Sequence, residues 1–194
     1  MRLVVAITGA SGVVYGKRLL EVLSEKGIET HLIISKEAGE LISSELSSKK
    51  DNIEKLANHV YQMNDLLSPL SSGSFITDGM VIVPCSAKTL AGIANGYSDN
   101  LILRAAEVSI KQGRKLILVP RETPLSAIYL GNMLKLARLG IVILPAMPAF
   151  YHNPKSINEL IDFIVGKILD SINIEHNLFK RWKGRKIANY VRTI

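Results

Sequence analysis

Residues 3–12 read Leu-Val-Val-Ala-Ile-Thr-Gly-Ala-Ser-Gly, and this stretch decides the fold of the chain. Residues 3–8 form a short run that is mostly apolar and rich in β-branched residues, which predicts a buried strand over 3–8, stopped by Gly9. Residues 13–26 follow with leucines at helical spacing and stop at Gly27, which predicts a helix. A buried strand, a glycine turn and a helix form the repeating unit of a parallel α/β sheet.

The same alternation continues along the chain. Strands are predicted over 29–35, 79–83, 115–119 and 141–144, and helices over 36–47, 87–95, 99–112, 126–138 and 156–172. Residues 48–78 are polar and irregular, so we expect a short helix and a mobile loop there. The order predicts an α/β fold, a Rossmann-like, three-layer, doubly wound parallel sheet with helices on both faces. Ligands of such sheets bind beyond the carboxyl ends of the strands.

The composition is that of an ordinary globular domain. Of the 194 residues, 47% are apolar and 21% are charged, which excludes disordered, collagen-like and coiled-coil chains. We assign residues 1–174 to one α/β domain. No apolar run approaches the roughly 18 residues of a membrane-spanning helix, so we expect no membrane contact. A single cysteine fits a reducing compartment, so we expect a cytoplasmic location. Cys85 is the only cysteine, which excludes an internal disulfide, and with four scattered histidines it leads us to expect no metal site.

The net charge of +7 is concentrated at the C-terminus. Residues 175–194 hold six Lys or Arg against one Glu, whereas the remainder is nearly neutral. A basic tail can bind nucleic acid. Such binding would weaken with added salt and would be lost when residues 175–194 are deleted. The tail also contains Phe179, Trp182 and Tyr190, so we expect part of residues 175–194 to pack against something or to dock on a neighbouring subunit, and we expect no nucleic-acid partner.

The glycine turn after the first strand is a candidate anion site. Gly9-Ala10-Ser11-Gly12 lets backbone N–H groups approach an anion at the following helix N-terminus, and Ser11 adds a hydroxyl donor. The dinucleotide pattern Gly-x-Gly-x-x-Gly is absent. The second predicted strand ends at Ser35 and Lys36 rather than at an acidic residue, which favours a phosphate-bearing mononucleotide. The alternative is an ordinary tight turn.

Two further loops follow predicted strands. In the first, Ser86 could bind an oxygen-rich ligand at a helix N-terminus, although helix capping alone would explain it equally well. Cys85 beside it fits a buried small apolar residue better than a nucleophile. In the second, Arg121 suits bidentate phosphate binding and Glu122 suits proton transfer, with a surface ion pair as the alternative.

One predicted helix carries a row of charges. Arg104 and Lys111 are seven residues apart, on one face, with Glu107 between them at helical spacing. By spacing alone, this pattern favours a solvated ladder of ion pairs.

These motifs and several others together resemble the UbiX/Pad1 flavin prenyltransferases. The resemblance runs in order from residue 3 to about residue 185. It rests on the segments Thr8-Gly9-Ala10-Ser11-Gly12 with Tyr15-Gly16, Pro84-Cys85-Ser86 with Lys88-Thr89-Leu90, Asp99-Asn100-Leu101 with Arg104-Ala105, Val119-Pro120-Arg121-Glu122-Thr123-Pro124, Asn132-Met133-Leu134-Lys135-Leu136, and Pro145-Ala146-Met147-Pro148-Ala149-Phe150-Tyr151.

The resemblance implies a transferase. Members of this family join a dimethylallyl group, usually from dimethylallyl phosphate, to N5 and C6 of reduced FMN without a metal. The prenylated FMN then serves a separate UbiD-type decarboxylase. Family members form homododecamers in which ligands come from more than one subunit, so cations that look exposed in one chain are expected at subunit interfaces.

The resemblance also assigns residues to the flavin. It implies FMN contacts from Gly9, Ala10, Ser11, Ser35, Ser86, Ala87, Lys88, Thr89 and Arg121. Glu45 and Glu122 match acidic residues near the reacting centre. The implied catalytic set is Glu122, Glu45, Lys111, Arg104 and Ser11.

A second group of residues is assigned to the prenyl donor. Tyr151 and Lys167 match the ligands of the donor phosphate, with Arg104 and Lys111 nearby. Some members carry Arg where this chain has Lys167, and Lys would lose bidentate binding. Trp182 matches a C-terminal aromatic residue that helps to close the site.

The alternative is an FMN-dependent decarboxylase of a cysteine-containing substrate. That chemistry oxidises a thiol with flavin and would need a histidine base after the first helix and a Pro-Ala-Ser-Ala-Asn-type loop. This chain has Pro84-Cys85-Ser86-Ala87-Lys88 instead, which favours the prenyltransferase.

Overall fold

The computed structural model describes residues 1–182 and residue 184. Within these residues the elements in chain order are β1 (Arg2–Ile7), α1 (Val13–Glu25), β2 (Glu29–Ile34), α2 (Lys36–Leu46), α3 (Lys50–Glu54), β3 (His59–Tyr61), β4 (Gly79–Cys85), α4 (Ala87–Ala94), α5 (Leu101–Lys111), β5 (Lys115–Pro120), α6 (Ala127–Ala137), β6 (Val142–Ile143) and α7 (Ile157–Ser171). A 3₁₀ turn, Pro69–Ser71, precedes β4. None of the helices in this described part is long and apolar enough to cross a membrane.

The strands form one parallel sheet in the order β3-β2-β1-β4-β5-β6. The chain moves outward from β1 to β3, returns to the centre at β4 and then moves outward in the other direction. Because parallel crossovers are right-handed, this reversal places the helices of the two halves on opposite faces. The predicted doubly wound, three-layer α/β fold is confirmed, and its switch point lies between β1 and β4.

Two apolar cores cover the two faces of the sheet. One lies between the sheet and helices α1, α2 and α7, and the other between the sheet and helices α4, α5 and α6. In β1, Leu3, Val5 and Ile7 face the first core, whereas Val4 and Ala6 face the second. Burial on both faces explains why the strand sequences are continuous apolar runs rather than alternating patterns.

The structure differs from the sequence-based prediction mainly over residues 48–78. The expected short helix is α3, but the strand β3 is not predicted by the pattern. Its first two residues are exposed and it lies at the sheet edge, so it lacks the apolar run that marks the central strands. The predicted strand 79–83 extends to Cys85, so Pro84 belongs to the strand rather than to the loop.

The start of the C-terminal segment packs on α7. The Phe179 ring lies 4.8 Å from the Phe163 ring, centroid to centroid. A Cβ on Gly166 would lie 2.5 Å from Phe179 and 2.6 Å from His176, so a residue without a side chain is required there. Lys183 and residues 185–194, with Arg185, Lys186, Tyr190 and Arg192, lie outside the described residues.

Gly16 allows α1 to approach the centre of the sheet. A Cβ at this position would lie 2.6 Å from the Val83 carbonyl oxygen and 2.9 Å from Ile7 Cδ1. The backbone carbonyl of β4 cannot move without disturbing the sheet ladder. The close approach of α1 therefore depends on glycine.

We expect Gly16→Val to lower the free energy of unfolding by about 2 kcal/mol, the usual cost of forcing extra carbons into a packed core. Denaturant titration at fixed protein concentration measures this change. Gly131→Ala is the matched control, because Gly131 is also helical but has nothing within 4 Å of an added Cβ. The control should raise the stability by up to about 1 kcal/mol through helix propensity. Equal stability of Gly16→Val and the parent would contradict the close-packing argument.

Candidate functional site

One threonine side chain joins the ends of the two central strands. Thr8 Oγ1 donates a hydrogen bond to the Pro84 carbonyl oxygen at 2.8 Å and accepts one from the Ser86 N–H at 2.8 Å. The Thr8 N–H also donates to the Pro84 carbonyl oxygen at 3.2 Å. Both capacities of this buried hydroxyl are therefore used, and the loops after β1 and β4 are fixed to each other at the switch point.

A cavity of about 510 Å³ opens at this edge of the sheet, between the loops that follow β1, β2, β4 and β5. Glu122 lines it, together with all nine residues that the resemblance assigns to the flavin: Gly9, Ala10, Ser11, Ser35, Ser86, Ala87, Lys88, Thr89 and Arg121. Residues far apart in sequence meet here because each follows the carboxyl end of a parallel strand.

Two helices begin at this cavity with serine caps. Ser35 accepts the Ala38 N–H at 3.2 Å at the start of α2, and Ser86 accepts the Thr89 N–H at 3.3 Å at the start of α4. The Ser86 hydroxyl also donates to Thr89 Oγ1 at 3.0 Å. The predicted capping by Ser86 is confirmed. The N-termini of both helices carry partial positive charge, which favours an anion in the cavity.

At the N-terminus of α1 a carboxylate from another helix binds the free N–H groups. Glu45 Oε2 accepts the Gly12 N–H at 2.9 Å and the Val13 N–H at 3.3 Å. Gly12 has φ of 102°, a left-handed conformation that favours glycine. The last turn of α2 is thereby connected to the glycine turn. Glu45 lies at the N-terminus of α1, beside the loop that follows β1.

The loop after β5 closes another side of the cavity. Arg121 Nε donates to the Ser11 carbonyl oxygen at 3.1 Å, which connects this loop to the glycine turn. Glu122 Oε1 accepts the Thr123 N–H at 2.9 Å. The carboxylate of Glu122 remains exposed, so it is accessible to a ligand.

Several lining residues are not found by the sequence analysis: Thr8, Glu37, Leu41 and Met63. The Glu37 carboxylate accepts hydrogen bonds from its own N–H and from the Ser35 hydroxyl, and Lys88 lies 3.7 Å away, which together hold the pKa of Glu37 below its usual value. The position of Glu37 in the first turn of α2, directly after a serine cap, is the signal that could have identified it.

Cys85 and Tyr129 lie in the core layer beneath this edge of the sheet. Cys85 is fully buried, and burial raises the pKa of its thiol far above the usual value. Burial raises the pKa of Tyr129 to about 12, with smaller contributions from Cys85 and Glu122. The full burial of Cys85 in this apolar layer confirms the prediction that it is a buried small apolar residue.

The residues assigned to the donor phosphate form a separate group. The Tyr151 ring lies 5.8 Å from Trp182 and 6.0 Å from Phe163, both edge to face. Lys167 follows Phe163 by one turn of α7, and its Nζ lies 3.5 Å from Asp170. None of Tyr151, Lys167 and Trp182 lines the cavity of the described chain.

Arg104 and Lys111 also lie outside the cavity of a single chain. Arg104 Nη1 pairs with Glu107 at 2.8 Å and its Nε donates to the Ser71 carbonyl oxygen at 3.1 Å. The ion pair expected from the spacing therefore forms between Arg104 and Glu107. Lys111 is the last residue of α5, four residues before β5 begins, and so lies near the amino edge of the sheet.

The chain is similar in sequence and structure to known proteins. Residues 1–169 match the family described as Flavoprotein. A flavin prenyltransferase UbiX from Methanocaldococcus jannaschii is 52% identical over 182 residues, covering 94% of this chain and 98% of the relative.

Three solved structures are similar to the chain. AnUbiX in complex with FMN and dimethylallyl pyrophosphate has a TM-score of 0.93 at 48% identity, covering 95% of this chain and 98% of that one. A dodecameric FMN-dependent UbiX-like decarboxylase from Escherichia coli O157:H7 also has a TM-score of 0.93, at 46% identity, covering 95% and 100%. The peptidyl-cysteine decarboxylase EpiD, 18% identical with a TM-score of 0.65 over 89% and 98%, shares the fold alone. The chain therefore belongs to the Flavoprotein family and, within it, to the UbiX flavin prenyltransferases.

Proposed function

We propose that this chain is a flavin prenyltransferase that joins a dimethylallyl group from dimethylallyl phosphate to N5 and C6 of reduced FMN. The observation that carries the proposal is the cavity at the switch point that is lined by all nine residues assigned to the flavin and by Glu122. The relatives named above support it, since the chain is about half identical to a flavin prenyltransferase over nearly its whole length.

The residues of the cavity fit FMN. A volume of about 510 Å³ lies within the usual range of roughly 300–1,000 Å³ for small-molecule sites. The N-termini of α2 and α4, with Lys88 and Arg121, offer donors and positive charge to a phosphate. Leu41 and Met63 provide apolar surface for a flat ring system.

When bound, reduced FMN supplies the electron-rich ring whose N5 and C6 receive the prenyl group. The task of the chain is to stabilise the departing phosphate and to keep the allylic fragment away from water. Preorganised donors stabilise the developing negative charge without a metal, and the residues assigned to this role are Tyr151 and Lys167, with Arg104 and Lys111 nearby. Glu122, held by the Thr123 N–H, is positioned to carry a proton on its free carboxylate oxygen.

We further propose that neighbouring subunits complete the site. Tyr151 and Trp182 are in contact with each other, and neither they nor Lys167, Arg104 and Lys111 line the cavity of their own chain. Five residues assigned to the reaction thus need a second copy to bring them to the cavity. The dodecameric relative from Escherichia coli supports assembly into a dodecamer. The product would serve a UbiD-type decarboxylase, and we place the enzyme in the cytoplasm.

The cysteine decarboxylase is the weaker candidate. The likeness to EpiD extends to the fold alone, at 18% identity. The thiol Cys85 is buried in the core and cannot substitute for a catalytic base.

We expect prenylated FMN after anaerobic incubation of the purified protein with FMN, dithionite and dimethylallyl phosphate. Mass spectrometry of the extracted flavin would show a mass increase of one five-carbon prenyl unit. Reactions without protein or without donor are the controls. If FMN binds tightly but stays unmodified with both dimethylallyl phosphate and dimethylallyl pyrophosphate, the transferase assignment is wrong.

Replacing Glu122 by Gln should slow product formation by about 100-fold or more, the usual contribution of a general acid or base. FMN affinity should change little, because Arg121 and the helix N-termini remain. Glu37→Gln is the matched control, since Glu37 lines the same cavity but pairs with Lys88. Mass spectrometry of reactions quenched at successive times gives the rate of product formation, and quenching of flavin fluorescence gives the FMN affinity. A normal rate in Glu122→Gln would exclude the proton-transfer role.

The shared site predicts complementation between inactive subunits. Arg121→Ala removes a cavity residue and Lys111→Ala removes a distant one, so each variant alone should lose most activity. Co-expressed and purified through two different tags, the mixed oligomer should recover about one quarter of wild-type activity, the random fraction of sites with both parts intact. Co-expression of Arg121→Ala with Glu122→Gln is the control and should recover none. No recovery in the first pair would show that Lys111 does not act across an interface.

A further inference from the structure

Three metal-ligating side chains meet at the outer edge of the sheet, away from the cavity. Glu29 and His31 are two residues apart in β2, so their side chains lie on the same face. The parallel register places His59 of β3 opposite His31. One ligand atom from each residue lies within 4.8 Å of the other two.

The distances fit a small metal ion. Glu29 Oε1 is 3.0 Å from His31 Nε2 and 3.6 Å from His59 Nε2. Ligand atoms bound to a tetrahedral zinc ion at about 2.0–2.1 Å are roughly 3.4 Å apart, so the two observed distances bracket that value. The His31 and His59 rings stack at 4.5 Å with an interplanar angle of 21°, so His59 must turn out of the stack to direct its lone pair at the ion. His59 is 51% exposed, which leaves its side chain room to turn.

His31 is held as metal-binding histidines usually are. Its ring is 2% exposed, its Nδ1 lies 2.9 Å from the Tyr61 hydroxyl, and Phe75 packs edge-on at 5.3 Å. Without an ion, the 3.0 Å contact of Nε2 with the Glu29 carboxylate places the ring proton on Nε2, and Nδ1 accepts from the Tyr61 hydroxyl. When an ion takes the place of that proton, Nδ1 carries the proton and donates it to Tyr61, and the lone pair of Nε2 becomes the ligand. An outer partner of this kind fixes the tautomer and orientation of a ligating imidazole.

We propose that Glu29, His31 and His59 bind one divalent transition-metal ion, with a fourth position open to solvent. Two imidazoles and one carboxylate suit zinc, nickel, copper or iron rather than magnesium or calcium, which prefer oxygen ligands. The ion would clamp the edge strand β3 to β2. Because Met63 follows β3 and lines the cavity, the clamp would also fix one wall of the flavin site.

Arg2 already pairs with Glu29, so a bound cation must compete with Arg2 for the Glu29 carboxylate. Its Nε donates to Glu29 Oε1 at 2.9 Å, while its Nη1 donates to the Ile76 carbonyl oxygen at 3.0 Å. The guanidinium also lies 4.6 Å from the centroid of Phe75. These other contacts can retain Arg2 when Glu29 turns to an ion. Arg2→Met removes the competing charge and should tighten metal binding.

The test is a titration of the tag-free, chelator-treated full chain with Zn²⁺ by calorimetry in phosphate-free buffer, repeated with Co²⁺ by visible absorption. We expect one ion per chain. His59→Ala should weaken binding by more than about 100-fold, and Tyr61→Phe by about 10- to 100-fold, as expected for an outer partner. Val60→Ala changes the same strand on the opposite face and should bind as the parent does.

The melting temperature gives a second, independent measurement. Zn²⁺ should raise it in the parent and in Val60→Ala but not in His59→Ala, because an ion that binds the folded state stabilises it. Equal melting temperatures of the metal-free parent and His59→Ala would show that the substitution leaves the fold intact. Absence of one-to-one binding, or binding that survives His59→Ala, would overturn the proposal. Neither measurement requires FMN, so the outcome is independent of the proposed transferase activity.

Discussion

The site depends on one buried hydroxyl group. Thr8 donates to the Pro84 carbonyl oxygen and accepts the Ser86 N–H, so a single side chain connects the two strands at which the sheet reverses. In a doubly wound sheet a crevice forms beyond the carboxyl ends of these two strands, because the connections that follow them lead to helices on opposite faces. The Thr8 hydrogen bonds hold the loops after β1 and β4 at a fixed separation on either side of this crevice. They also fix Ser86, the N-cap of α4, and so the N-terminus of that helix. A hydroxyl that is buried with both hydrogen-bonding capacities satisfied also adds to stability.

Much of the fold follows from the sequence because its elements are strongly marked. Central strands buried on both faces are continuous apolar runs, and glycines or serine caps mark the helix ends. The predicted boundaries of β1, β2 and β5 agree with the structure within one residue. β3 escapes prediction because an exposed three-residue edge strand has no apolar pattern, and its place is set by pairing with β2. His59 is hidden with it, so the cluster with Glu29 and His31 cannot be predicted from spacing.

The candidate site was predictable to the extent that it lies at strand ends. Loops after parallel strands must meet at one edge, which brings Ser11, Ser86 and Arg121 together from distant parts of the chain. The hydrogen bonds of Glu45 to the start of α1 depend on how α2 packs, and no local pattern encodes that angle. Tyr151 and Lys167 are a different case, since their assigned partner surface belongs to another subunit. The family resemblance assigns these two residues to the donor phosphate, but neither the periodicity of the sequence nor the structure of one chain places them at the cavity.

The carboxylate at the start of α1 has a consequence for selectivity among anions. Glu45 is tethered to the helix end that it neutralises, so its effective local concentration there is far above that of a freely diffusing ion. Free phosphate or sulfate would have to displace this internal competitor. The start of α2 also carries a carboxylate of the chain, since Glu37 accepts its own N–H, whereas the described contacts give the start of α4 only its serine cap. Of the three helix starts at this edge of the sheet, those of α1 and α2 are thus partly neutralised by carboxylates of the chain, and that of α4 is left for a phosphate that arrives as part of a larger molecule.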